Sequence, residues 1–310
     1  MIRLGTRASA LALAQARAVA DRLRALGAEV ELVPMRTEGD RRAEARLADL
    51  GGKGLFVRDL ESALLAGRID AAVHSLKDLP AEQPAGLELA AFLPREDPRD
   101  VLVTRAGGGL AALAEGAVVG TASLRRQALL LACRPDLRVV PVRGNVDTRL
   151  HRLEQGVWDG VVLAAAGLRR LGLAPERTEV LSPDLFVPAV GQGILAVETR
   201  SDDRQVREVL AALDDRASRL CARAERAYLR RLGATCATPM AAHAVLEGES
   251  GAWRLSLRAV VASEDGRRVL RADAVGAPEE AEALGRGLAE ALLAQGAAEV
   301  ASLTARPGVP

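Results

Sequence analysis

The heptapeptide His74-Ser75-Leu76-Lys77-Asp78-Leu79-Pro80 holds the residues best placed to do chemistry. It follows Arg68 to Val73, a short and largely apolar run that reads as a buried strand. Polarity changes abruptly where the run ends. Pro80 closes the turn, because proline cannot continue a strand ladder and restricts Leu79 before it. In α/β sheets, ligands bind at the carboxyl ends of strands. A carboxylate held there can act as an acid, a base or the counter-charge of a cationic intermediate. A lone aspartate can equally pair with its neighbour Lys77 or cap a helix, and its company has to decide.

Three strand-to-helix turns share a recipe of hydroxyls and arginines: Arg7 with Ser9, Ser123 with Arg125 and Arg126, and Arg143 with Thr148 and Arg149. A Ser or Thr cap and the free N–H groups of a helix start bind anions. Arginine in a first turn opposes the helix dipole, a conflict that an external anion would relieve. Guanidinium forks suit carboxylates and phosphates. At any single turn the simpler account is an arginine paired with a nearby acid. Three such turns in two α/β domains point to a cleft between the domains for a polyanion. Cys236 lies between a helix end and Pro239, outside any apolar period. It is either inert or an accessible thiol for covalent attachment.

These residues need a scaffold. The 310 residues allow two or three domains, and 49% hydrophobic with 27% charged residues describes a globular chain. Aromatics make up 2%, so Leu, Val and Ala must build the core. A net charge of +1 offers no basic field for nucleic acid. Lys53 and Lys77 are the only lysines among many arginines, and both stand in motifs. Cys133, Cys221 and Cys236 are too few and scattered for a disulfide framework or a zinc site. Cys133 and Cys221 read as helix packing residues. Met1 runs into a strand with no leader-like or membrane-length apolar segment, so a cytoplasmic protein is expected.

Periodicity places a strand at Ile2 to Leu4, a turn at Gly5 to Ser9, and a helix from about Ala10 to Leu26. The buried face of that helix is Ala12, Ala16, Val19, Leu23 and Leu26. A strand from Glu29 to Arg36 completes a β-α-β opening, which implies a parallel sheet. The charged segment from Thr37 to Gly52 is either a solvated loop or a lid. It leads to Gly51-Gly52-Lys53-Gly54, which is not a phosphate-binding loop because a hydrophobic residue follows. Arg95 to Asp100 reads as a crossing between domains, and Phe186 to Gly193 as the return. The expected division is an α/β lobe of residues 1–94 and 194–212, a second α/β lobe of 98–188, and an α+β domain of 215–310 that carries Cys236.

Several of these motifs resemble, in order and over nearly the whole chain, those of the porphobilinogen deaminase (hydroxymethylbilane synthase) family. They are Thr6-Arg7-Ala8-Ser9, Gly51-Gly52-Lys53-Gly54-Leu55-Phe56, the His74 to Pro80 stretch, Arg95 to Asp100, Gly120 to Arg126, Arg143 to Arg149 and Pro188 to Gly193. The resemblance implies two periplasmic-binding-protein-like α/β lobes and a C-terminal α+β domain. It implies a dipyrromethane cofactor, made from the enzyme's own substrate and joined by a thioether at Cys236. The implied reaction links four porphobilinogen molecules head to tail, with loss of ammonia, and water then frees hydroxymethylbilane for tetrapyrrole and haem synthesis. Each pyrrole carries an acetate and a propionate, so the growing chain is a polyanion. Loss of ammonia leaves a cationic azafulvene, which Asp78 could stabilise.

By match to the family, Asp78 is catalytic and Cys236, Lys77, Thr121, Ser123, Arg125 and Arg126 hold the cofactor. Arg7, Ser9, Arg143, Arg149, Lys53, Arg170 and Gln192 bind substrate, and no metal is implied. The loop before Lys53 would be a mobile cover. The expected partners are porphobilinogen and the growing polypyrrole, with no nucleic acid or membrane, and the protein is expected to be a monomer. Ala234-Thr235 stand where the family usually has Gly-Gly, Ala122 where it often has serine, and Ala10 where it often has proline. A non-catalytic two-lobed receptor for a polyanion would also need an arginine-lined cleft, but not Cys236 or Asp78. An enzyme of phosphorylated metabolites would need a phosphate loop or metal cluster, which His74, His151 and His243 do not offer. His74 reads as a structural residue hydrogen-bonded beneath its turn.

Overall fold

A computed structural model describes residues 1–35, 57–235, 238–248 and 252–301. Lys53, Cys236 and the segment expected as a lid lie outside the described residues. In chain order the elements open with β1 (Ile2–Arg7), α1 (Ala10–Ala25), β2 (Val30–Met35), α2 (Arg58–Leu65), β3 (Ala71–Ser75) and β4 (Leu87–Phe92). Next come β5 (Asp100–Thr104), β6 (Val118–Gly120), α3 (Leu124–Cys133), β7 (Arg138–Val140), α4 (Val146–Glu154), β8 (Gly160–Ala164), α5 (Ala165–Arg170) and β9 (Thr178–Val180). The chain then forms β10 (Leu195–Arg200), α6 (Arg204–Ala211), α7 (Arg216–Leu232), β11 (Met240–Glu247), β12 (Arg254–Ala262), β13 (Val269–Gly276), α8 (Ala281–Ala294) and α9 (Ala297–Val300).

The chain divides into two compact units, residues 1–96, 170–172 and 193–219, and residues 97–169, 173–192 and 220–310. Each contains a five-stranded sheet of the same topology. The first is ordered β2-β1-β3-β10-β4 and the second β7-β6-β8-β5-β9. In each, the first three strands run parallel and the fourth, β10 or β5, runs antiparallel to both neighbours. The second unit also holds the antiparallel sheet β11-β12-β13. The fold class expected, two α/β lobes with a C-terminal α+β part, is the one observed.

Small aliphatic residues fill the cores, as the scarcity of aromatics requires. Ala16, Val19, Ala20 and Leu23 of α1 pack on Leu4, Val73, Leu195 and Val197 on one face of the first sheet. Leu60, Ala63 and Leu64 of α2 pack on Ile69 and Ala72 on the other. In the second unit Leu129 and Leu130 of α3 share a core with Leu102, Val119 and Val162 and also with Ala241 and Val260. That shared core joins the C-terminal sheet to the second α/β sheet.

Some local boundaries differ from expectation. Leu26 is 55% exposed, not part of the buried face. Helix α1 ends at Ala25 and Gly27 turns the chain at φ +87°, so the apolar period loses its meaning there. Strand β1 runs on to Arg7, and Asp100, read as part of a charged crossing, is instead the first residue of β5.

Gly285 of α8 meets α7 so closely that an added Cβ would collide with the Ala224 carbonyl oxygen and crowd the Ala227 methyl. Gly285→Ala should therefore lower stability by about 1–3 kcal/mol, the usual effect of overpacking, despite alanine's better helix propensity. Chemical denaturation measures this, and an unchanged midpoint would contradict it.

Candidate functional site

The first unit brings three of the predicted site residues, Arg7, Ser9 and Asp78, to one depression together with Ser75. Arg7 ends β1, Ser9 caps α1, Ser75 ends β3, and Asp78 lies on the 3-10 turn Leu76–Asp78 that follows. All four line it, with Gln15 and His74. The local causes are plain. Ser9 Oγ accepts from Ala12 N at 3.3 Å, the bond of an N-cap serine. The Leu76 N–H donates to the Ile194 carbonyl at 3.0 Å, which holds the turn to the edge of β10. Buried Gln15 donates from Nε2 to Ser75 Oγ at 2.9 Å and joins α1 to the end of β3. Asp78 is exposed and Lys77 half-buried.

Beneath the turn, His74 Nε2 lies 2.9 Å from Glu198 Oε2, their side chains 4% and 0% exposed. This is the structural hydrogen bond expected of His74, with a partner the sequence did not point to. Glu61 of α2 is buried nearby, and burial with the Glu198 carboxylate raises its pKa above the ordinary glutamate value.

The second unit holds the arginines of the other two turns. Ser123 caps α3, its Oγ accepting from Arg126 N at 3.4 Å, and buried Thr121 Oγ1 accepts from Ser123 N at 3.2 Å. The third turn departs from the recipe. Asn145, not a hydroxyl residue, stands at the N-cap of α4, and Thr148 lies inside the helix. Half-buried Arg149 donates from Nε to the Gly144 carbonyl at 2.9 Å. Arg143 is half-buried.

Arg125 and Arg126 converge on one buried acid. Arg125 Nη1 donates to Asp100 Oδ2 at 2.7 Å and to the Val187 carbonyl at 2.8 Å. Arg126 donates to Asp100 Oδ1 from Nη2 at 2.7 Å and from Nε at 3.1 Å. Gln192 Nε2 adds a fourth donor at 2.9 Å. The side chains of Arg125, Arg126 and Asp100 are 5%, 9% and 0% exposed. Burial alone would raise the Asp100 pKa, but the two guanidiniums hold the carboxyl well below the usual carboxylate range. The dipole conflict read at the start of α3 is thus answered first inside the chain. One carboxylate against two guanidiniums still leaves positive charge in excess, and Arg125 Nε is buried with no hydrogen-bond partner. Arg149, lowered by burial and by the nearby Arg126 charge, adds to that field.

Gln192 is fully buried on Asp100 and on the Pro98 carbonyl. Arg170 is grouped with the first unit and donates from Nη2 to the Gly193 carbonyl at 2.6 Å. Sequence reasoning missed Asp100, Glu198, Glu61 and Gln15. The one sequence signal was for Asp100, an acid heading the apolar run Val101-Leu102-Val103.

Two family models match the chain. "Porphobilinogen deaminase, dipyromethane cofactor binding domain" covers residues 2–208, and "Porphobilinogen deaminase, C-terminal domain" covers 219–294. A porphobilinogen deaminase of Syntrophotalea carbinolica is 48% identical, with 100% of this chain and 98% of that protein covered. One of Sorangium cellulosum is 51% identical over 92% of this chain and 96% of that protein. Among solved structures, a nutrient binding protein from Burkholderia cenocepacia bound to methionine is similar at 14% identity and a TM-score of 0.43, over 68% of this chain and 90% of that one. With two domain models in sequence and relatives alike over nearly the full length, the chain belongs to the porphobilinogen deaminase family.

Proposed function

We propose that this enzyme joins four porphobilinogen molecules head to tail into hydroxymethylbilane, with loss of ammonia at each step, on a dipyrromethane primer attached at Cys236. The observation that carries the reading is family membership along the whole chain, with Asp78, Arg7 and Ser9 lining one depression. A dipyrromethane bears several carboxylates, and the residues present fit it. The Asp100 cluster has more guanidinium than carboxylate, with the buried Arg125 Nε unpaired. Arg125, Arg126, Ser123, Thr121 and Lys77 would hold the group. When bound, it supplies the pyrrole carbon from which the chain grows.

The chain's own residues then act as follows. Arg7 and Ser9, with Arg143, Arg149 and Lys53, bind the acetate and propionate groups of the incoming pyrrole. Ammonia leaves the substrate's methylene carbon with the bonding electron pair, so positive charge develops on the substrate. The Asp78 carboxylate is its counter-charge and an acceptor for the pyrrole N–H. Asp78 can also take up the proton displaced when the new carbon–carbon bond forms. Arg170 and Gln192 act by support, Arg170 on the Gly193 carbonyl and Gln192 on Asp100. The same reading makes the enzyme a cytoplasmic monomer acting on small molecules. No helix among the described residues is long and apolar enough to cross a membrane.

The test is the intact mass of the denatured protein. The native chain should carry an excess of two linked pyrrole units on the peptide that holds Cys236, and Cys236→Ala should lack both the excess and turnover. A Cys236→Ala protein that keeps the added mass and stays active would place the attachment elsewhere.

A further inference from the structure

The acid–imidazole group beneath the Asp78 turn is more than packing. Glu61, His74 and Glu198 are all buried, Glu61 next to Leu60 on α2 and Glu198 opposite Ala72 in the sheet. Apolar residues of similar volume there would commonly be as stable or more so. Two of the carboxylate oxygens, Glu61 Oε1 and Glu198 Oε1, are buried with no hydrogen-bond partner. Buried polar atoms left unsatisfied in this way are rare and concentrate where function opposes stability. His74 also lines the depression that Asp78 lines. Its Nε2 is taken by Glu198, which leaves Nδ1 as the ring nitrogen not engaged there.

We propose that His74, oriented by Glu198, is a positioning residue that sets the place and the charge environment of Asp78. The pair ties β3 diagonally to β10 one strand residue before the turn, so it fixes the end from which Lys77 and Asp78 project. The charged groups around it are Glu61 and Arg58 on α2, Glu198 on β10, Arg7 at the end of β1 and Asp78 itself. A change in the pair is therefore passed to Asp78 through the end of β3 and the short turn that it carries. The inference rests on the proposed role of Asp78.

Two conservative variants test it. Glu198→Gln keeps an acceptor and removes the carboxylate, and His74→Gln keeps a donor and removes the imidazole ring. Each should lower kcat roughly ten- to a hundredfold, as loss of a supporting group around a reacting one typically does, and leave KM within about twofold. Each should also change the shape of the kcat–pH profile. Kinetics and profiles like those of the native enzyme in both variants would overturn the proposal. A second measurement does not depend on those variants folding. The chain has three histidines, so the His74 ring can be followed by nitrogen-15 NMR of histidine-labelled protein. Asp78→Asn should shift the His74 ring signals, and unmoved signals would overturn the coupling. If Asp78→Asn keeps its turnover, the reading of the site fails first. If Asp78→Asn is inactive and both pair variants behave as native, only the role of the pair fails.

Discussion

Asp78→Asn is expected to lower turnover of porphobilinogen by about a hundredfold or more, the range for losing a charged acid–base group from a reacting site. Asparagine keeps the size of the side chain and one acceptor oxygen, so what is removed is the charge. Asp78 is exposed and on a short turn, and the buried Leu76 and Leu79 that anchor this turn are untouched. Stability should therefore stay within about 0.5 kcal/mol, as for surface substitutions away from special features. The mass excess assigned to the cofactor should remain. Steady-state rates, a denaturation curve and an intact mass on one preparation separate these effects. Near-native turnover with the cofactor present would remove Asp78 from the mechanism, and loss of the cofactor would move its role from turnover to loading.

The second large effect is on stability. Asp100→Ala leaves the Arg125 and Arg126 guanidiniums buried without their shared carboxylate. Removing one partner of a buried ion pair typically costs about 3–5 kcal/mol. Domains of ordinary stability have about 5–15 kcal/mol in all, so the variant should be marginal at physiological temperature. The sign of the pH dependence follows from the depressed carboxyl. Asp100 is ionised in the folded state at pH values where the unfolded chain has begun to protonate. Its contribution is fully present above the unfolded aspartate value, about 3.9, and is lost as pH falls from there toward the lower folded value. Urea titrations should show a wide gap between native protein and Asp100→Ala at pH 6. That gap should narrow below about pH 4. A gap independent of pH would mean that the loss comes from packing and not from charge.

Much of the site was legible from local pattern. The turn after β3, the caps at Ser9 and Ser123 and the first parallel strands follow from apolar periodicity, cap chemistry and proline, all of which act within a few residues. The same logic failed at Leu26, where the period continues in sequence after the helix has ended. It also misplaced Asp100, because charge density around Arg95 to Asp100 looks like a solvated crossing until a strand is seen to begin there.

The amino-acid sequence alone determined that the chain has two α/β lobes and a C-terminal α+β part, which residues could meet carboxylates, and which aspartate could face a cation. Only the tertiary structure decided which charges neutralise one another. Asp100 reaches Arg125 across 25 positions, and His74 reaches Glu198 across 124. Those partners are chosen by sheet order, by β5 beside β8 and β10 antiparallel beside β3. A strand's side-chain period says which face a residue takes but not which strand will lie next to it, so no local pattern could have named either pair.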